Sequence, residues 1–174
     1  MRWIVVAILC LGIARKSYAD GELFLLRDAI IKMASTPEWK PKQFRGEVGK
    51  IRAQELARFF WDEAHDAGQD PFLVAAIAAN ESNFRMSVQG KHGEVGMMQI
   101  LPKYSKFLRC ESISKLETDT RANLRCALKE FQYWQVKCGL EVEKWLSAWN
   151  TGYCDSTKGK QYVKRVLGKL GKAE

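Results

Sequence analysis

Apolar residues recur along most of this chain at intervals of three and four, the spacing of one face of an α-helix. Residues 21–35 place Leu23, Leu26, Ile30 and Met33 in that register. Residues 36–46 hold Pro37, Pro41 and Gly46 among charges and read as a loop. From about Val48 to Ala67, the positions of Ile51, Leu56, Phe59, Phe60 and Ala64 predict an amphipathic helix that Gly68 stops. Asp70-Pro71 then opens another helix, with Asp70 as N-cap and Pro71 in the first helical position. The run from Phe72 to Ala79 that follows is apolar on every side, so this helix belongs in the middle of its domain. Residues 85–102 are punctuated by Gly90, Gly93 and Gly96, and predict a glycine-rich loop or small β-ribbon near residues 88–100. Helices are predicted again at about 103–108, from Asp119 to Lys137, from Glu141 to Trp149 and from about Gly159 to Leu170, with a turn at Thr151-Gly152. The fold class is mainly α, a globular helical domain.

The first residues follow a different pattern. Met1-Arg2 is a short positive start, Trp3 to Ala14 is unbroken apolar sequence, and Ser17-Tyr18-Ala19 puts small residues at the −3 and −1 positions of a cleavage site. Twelve apolar residues fall short of the roughly 20 that a membrane-spanning helix needs. Residues 1–19 are therefore expected to be a signal peptide, with export to the periplasm or the exterior. An uncleaved anchor is the competing reading, because Arg15 and Lys16 interrupt the leader. Residues 20–47 are expected to form a helical extension, and 48–174 the main domain.

Charge and cysteine usage agree with export. The chain has 28 basic and 20 acidic residues; three of the basic ones lie in the leader, so a mature chain keeps a net charge of +5. Such a protein favours anionic surfaces, cell wall or phospholipid, and no nucleic-acid motif accompanies the charge. The lysines and arginine from Lys158 to Lys172 read as the solvated face of a last helix. Beyond the leader remain Cys110, Cys126, Cys138 and Cys154, an even number that argues for two disulfides. Of three pairings, Cys110–Cys126 and Cys138–Cys154 are preferred, each closing a short gap and each worth about 3 kcal/mol in the chain-entropy model. The spacings match no zinc motif. No metal or other cofactor is expected, and the chain is expected to be a monomer.

The candidate chemistry converges on Glu81. This carboxylate follows eight apolar residues and ends their helix, where burial and the helix dipole both disfavour charge. A glutamate with a raised pKa is what protonation of a leaving oxygen at neutral pH requires. Ser82 beside it offers a hydroxyl. Gly96-Met97-Met98-Gln99 supplies a tight turn, an apolar wall and an amide suited to a sugar. Ala148-Trp149-Asn150-Thr151-Gly152 sets an aromatic beside another amide at a turn.

These segments together, over about residues 48–168, resemble the lytic transglycosylases of glycoside hydrolase family 23 with their soluble lytic transglycosylase-like domain. Glu81-Ser82-Asn83-Phe84 resembles the family's glutamate-serine motif and follows an Asp-Pro-x-Leu-Val-x-Ala helix. Gly96-Met97-Met98-Gln99 stands for Gly-Leu-Met-Gln, Asn123-Leu124 for an Asn-Leu helix start, and Ala148-Trp149-Asn150-Thr151-Gly152 for Ala-Tyr-Asn-x-Gly. Tyr162-Val163-Lys164-Arg165-Val166 matches the closing Tyr-Val-x-x-Val pattern. The resemblance implies a lysozyme-like fold and cleavage of the β-1,4 bond between N-acetylmuramic acid and N-acetylglucosamine in peptidoglycan glycan strands, leaving a 1,6-anhydromuramoyl end. It also implies Glu81 as sole acid and base, with Ser82, Met97, Gln99, Asn150 and Tyr162 lining or ordering the site and the Tyr162 hydroxyl touching Glu81. Trp149, where the family has tyrosine, and Glu94, a second carboxylate, are further candidates. Small exported relatives of this kind serve secretion, conjugation or pilus systems, or phages. Two alternatives stand beside this reading: a goose-type lysozyme-like hydrolase of the same bond, and a catalytically silent peptidoglycan-binding assembly protein.

Overall fold

The computed structural model describes residues 21–34 and 46–171. The expected leader and nearly all of the loop at 36–46 lie outside these residues. Eight helices occupy most of the described chain: α1 at residues 21–34, α2 Gly46–Asp66, α3 Pro71–Glu81, α4 Pro102–Phe107, α5 Ile113–Thr118, α6 Thr120–Cys138, α7 Val142–Thr151 and α8 Thr157–Leu170. Helix α5 has no counterpart in the hydrophobic pattern, because Leu116 is its one buried apolar side chain. What starts it is local: the Ser112 hydroxyl accepts from the Lys115 amide. Between α3 and α4 lies a glycine-rich loop, pinned by two isolated antiparallel bridges, Gln89 with Val95 and Val95 with Ile100.

Helix α3 is the axis of the domain. The Asp70 carboxylate accepts from the amides of Phe72 and Leu73, Pro71 sits in the first turn, and residues Leu73 to Ala79 are all buried. Helices α2 and α8 pack against it. Its alanines have no side-chain bulk to hold neighbours away, so the α8 side chain Tyr162 can reach the end of α3. Leu26, Ala29, Ile30, Met33 and Ala34 bury the inner face of α1 in the same core as α2 and α3. On the other side, Glu63 of α2 is almost fully buried and is bridged by Arg121 at 2.9 Å and Arg125 at 2.6 Å, both from α6. A buried carboxylate needs such partners to remain charged.

Helices α7 and α8 approach closely at Gly159. A β-carbon there would lie 1.9 Å from the Ser147 hydroxyl oxygen and 2.9 Å from the Ser147 Cα. Gly159→Ala is therefore expected to push the two helices apart and destabilise by about 2 kcal/mol, read as a thermal midpoint about 5 °C lower by circular dichroism. Two disulfides staple the second half of the domain. Cys110–Cys126 ties the segment after α4 to α6, and Cys138–Cys154 ties the end of α6 to the α7–α8 connection. Among the described residues no helix is long and apolar enough to cross a membrane.

Candidate active site

Glu81 is the last residue of α3, and the chain reverses immediately after it. Asn83 and Phe84 both take left-handed backbone conformations, at φ 54° and 62°, which are costly for residues with side chains. The reversal is held from below. Phe84 is buried and meets Phe60 of α2 edge-on at 6.1 Å. The Ser82 hydroxyl donates to the Ala78 carbonyl and accepts from the Arg85 amide at 3.1 Å. Ser82 is thus buried in the turn and spent on backbone; of the two duties expected of it, lining or ordering the site, its geometry favours ordering, since it shapes the turn that aims Glu81.

Two donors from the last two helices converge on one oxygen of Glu81. The Tyr162 hydroxyl donates to Oε1. The Trp149 indole N–H donates to the same oxygen at 3.2 Å, and the indole is set by an edge-on contact with Phe131 of α6, ring centres 4.7 Å apart. At position 149 a tryptophan therefore supplies an N–H donor of its own. The opposing effects on Glu81 can be ranked. Burial pushes its pKa up and is the largest; the Tyr162 and Trp149 bonds pull it down, the negative charge of Glu94 pushes up, and the positive charge of Arg165 pulls down. Burial wins, and the carboxyl holds its proton above the ordinary value of 4.5. Tyr162 is itself fully enclosed, and desolvation together with Glu81 drives its pKa far up, so it remains a phenol and a donor.

The glycine-rich loop is fixed by Asn123, at the start of α6. This amide has no exposed surface. Its oxygen accepts from the Met98 amide at 2.8 Å, and its nitrogen donates to the carbonyls of Val95 and Leu116, each at 3.1 Å. Gly96 makes the contact possible: its φ is +76°, and a β-carbon on it would lie 2.2 Å from the Asn123 amide nitrogen. Gln99 follows at φ 51°. Its NH2 group donates to the carbonyls of Val88 at 3.0 Å and Gly96 at 2.8 Å, leaving the amide oxygen as the free end. A β-carbon on Gly90 would meet that oxygen at 2.7 Å and a Glu94 carboxylate oxygen at 2.3 Å, so Gln99 and Glu94 both lie against Gly90 where a side chain would otherwise stand. Partial burial works to raise the Glu94 pKa, but its own amide and the amide and ring of His92 prevail and hold it below the ordinary range. Met97 has no exposed surface, so of lining and ordering its burial favours ordering, as packing for the loop.

Pattern reading missed Glu130 of α6. It is 3 % exposed and accepts from the Trp134 indole at 3.2 Å. Burial raises its pKa to about 7, against the pull of Trp134 and Lys103, with the charge of Glu81 adding a small upward push. Because the folded protein favours the protonated form, stability is fullest below the unfolded value near 4.5 and declines as pH rises to about 7. Glu130→Gln keeps the indole's acceptor and is expected to remove roughly 2–3 kcal/mol of that decline. Urea unfolding of both proteins at pH 5 and pH 8 measures it. A charged residue at an inward position of an amphipathic helix was the only signal in the sequence.

Of the candidate residues, Glu81, Tyr162 and Trp149 are in contact, and Glu94 lies within electrostatic reach of Glu81. Asn150 is exposed at the end of α7, next to Trp149. Among the described residues no group of three or more His, Cys, Asp or Glu side chains could hold a metal ion. Chemically, the assembly presents one buried carboxyl whose neutral form is favoured, oriented by two donors, beside a loop with an amide oxygen and a second carboxylate whose charged form is favoured.

The fold is shared with a solved structure, an inactive mutant of the lytic transglycosylase Slt from Pseudomonas aeruginosa. The TM-score is 0.57 at 17% sequence identity, and the match covers 70% of this chain and 26% of that one. The chain thus spans about a quarter of that larger protein. Residues 59–170, from within α2 to the end of α8 and including every candidate site residue above, match the family model for the transglycosylase SLT domain. The chain belongs to the transglycosylase SLT domain family.

Proposed function

We propose that this protein is a peptidoglycan lytic transglycosylase that cleaves the β-1,4 bond between N-acetylmuramic acid and N-acetylglucosamine and leaves a 1,6-anhydromuramoyl end. The observation that carries the reading is the pair of donors on a single oxygen of a buried, terminal glutamate. With Oε1 occupied by Tyr162 and Trp149, the proton sits on Oε2. Glu81 gives that proton to the glycosidic oxygen as the bond from that oxygen to the muramoyl C1 breaks. The substrate's own acetamido oxygen stabilises the positive charge at C1, the work a second carboxylate does in ordinary glycosidases. The Glu81 carboxylate, now steadied by its two donors, takes the proton of the 6-hydroxyl as that oxygen bonds to C1. No water enters, and Glu81 ends protonated for the next cycle. Gln99 and Asn150 are assigned to holding the sugars, with Ser82 and Met97 supporting them from beneath.

Glu94 favours a second reading. An ionised carboxylate near the acid could activate a water, and the product would then be a reducing muramoyl end, as in a goose-type lysozyme-like hydrolase. Its existing bonds to the His92 amide and ring argue against that duty. Digestion of purified sacculi followed by mass spectrometry decides: the transglycosylase product is lighter than the hydrolytic one by one water, and a binding protein without turnover releases neither. The two disulfides support residence in the periplasm or outside the cell. Service to a secretion, conjugation or pilus system or a phage rests on the resemblance stated above.

A further inference from the structure

One face of the molecule, formed by α4 and α6, combines protruding apolar side chains with unpaired cations. Phe107 is 61% exposed, Val136 89% and Leu140 81%. They form one patch: the Phe107 ring meets Tyr133 of α6 at 5.2 Å, Val136 lies one turn beyond Tyr133, and Leu140 follows just past the helix end. Cations accompany these rings. Lys137 lies over the Tyr133 ring at 4.7 Å and Lys103 over Tyr104 at 4.9 Å. Lys129, one turn before Tyr133, donates to the Arg109 carbonyl at 3.4 Å. None of Lys103, Arg109, Lys129 and Lys137 forms an ion pair among the described residues, whereas Lys115, Arg121 and Arg125 on the adjoining face all do. Of the acids nearby, Glu130 is buried on Trp134 and feels Lys103 through charge alone, without an ion pair, and Glu141 is bonded to Lys144.

We propose that this face binds the surface of an anionic phospholipid bilayer. Apolar tips that stand proud of the surface, aromatic rings beside them and free lysines around them fit a soft apolar layer capped by phosphates: the tips enter the boundary while the cations stay at headgroup level. Each cation near an anionic surface strengthens binding by about fivefold, and the attraction is screened by salt.

The test is co-sedimentation of the full chain with vesicles of phosphatidylcholine alone or mixed with phosphatidylglycerol. The N-terminal apolar stretch is common to all proteins compared, so the readout is the difference between variants. K129Q/K137Q should lower partition into the phosphatidylglycerol vesicles roughly 20-fold, and added salt should narrow that gap. V136S/L140S should lower it roughly tenfold. All four positions are exposed, and none is among the partners of Glu81, so circular dichroism and release of fragments from sacculi should match wild type. Partition that is equal for wild type and both variants overturns the proposal. So does a failure of all proteins to bind either vesicle, which would leave an acidic protein surface as the occupant.

Discussion

Glu81→Gln is expected to lower the release of soluble fragments from sacculi by about 10³-fold or more while leaving the helical circular dichroism spectrum unchanged. Glutamine has the same shape, and its amide oxygen can accept the two bonds now made by Tyr162 and Trp149. What it lacks is a transferable proton on the other terminal atom. Burial already favours the neutral form of this group, so an uncharged amide suits the place. The loss should therefore fall on turnover, with binding to sacculi retained. Substantial activity in this variant, measured with the fold intact, would move the acid elsewhere, with Glu94 the first place to look.

Asn123→Ala is expected to have the largest effect on stability. The substitution leaves the Met98 amide and the Val95 and Leu116 carbonyls without partners in a fully buried place. Each such group costs about 1–3 kcal/mol, so a total of about 4 kcal/mol is expected, a thermal midpoint lower by roughly 10 °C. Activity should fall further than stability alone explains, because Gln99 and Glu94 ride on the loop that Asn123 holds. Assays well below the new midpoint, set beside the exposed Asn150→Ala variant, distinguish loop loosening from unfolding: Asn150→Ala should leave the midpoint unchanged.

Most of the helical framework was legible from spacing. The all-apolar run from Phe72 to Ala79 could only be a central helix, and Asp70 with Pro71 marked its start to the residue. Glu81 stood out because a carboxylate ends that run. Helix α5 was hidden because one buried leucine gives no periodicity, and only its serine cap betrays it. The site divided in the same way. Glu81, which ends a helix at a turn, could be singled out from pattern. Side chains whose meaning lies in what they touch across the fold could not. Ser82 and Met97 sit in the right motifs but turn inward, because backbone conformations at Asn83, Gly96 and Gln99 set directions that periodicity does not encode. Asn123 falls in the Asn-Leu helix start noted in the sequence, but the three backbone groups it binds, in the glycine-rich loop and at Leu116, are not legible there. Glu130 likewise owes its raised pKa to burial by the assembled fold, which outweighs the downward pull of Trp134 and Lys103.

Acid catalysis by Glu81 requires a proton held where an ordinary glutamate has lost it. Titration of ¹³C-labelled glutamate carboxyls by NMR, with the Glu81 signal identified by its absence in Glu81→Gln, measures this directly. The predicted midpoint lies above 4.5 and rises further in Tyr162→Phe, which removes a bond to the charged form. A midpoint at or below 4.5 in the wild-type protein would contradict the account.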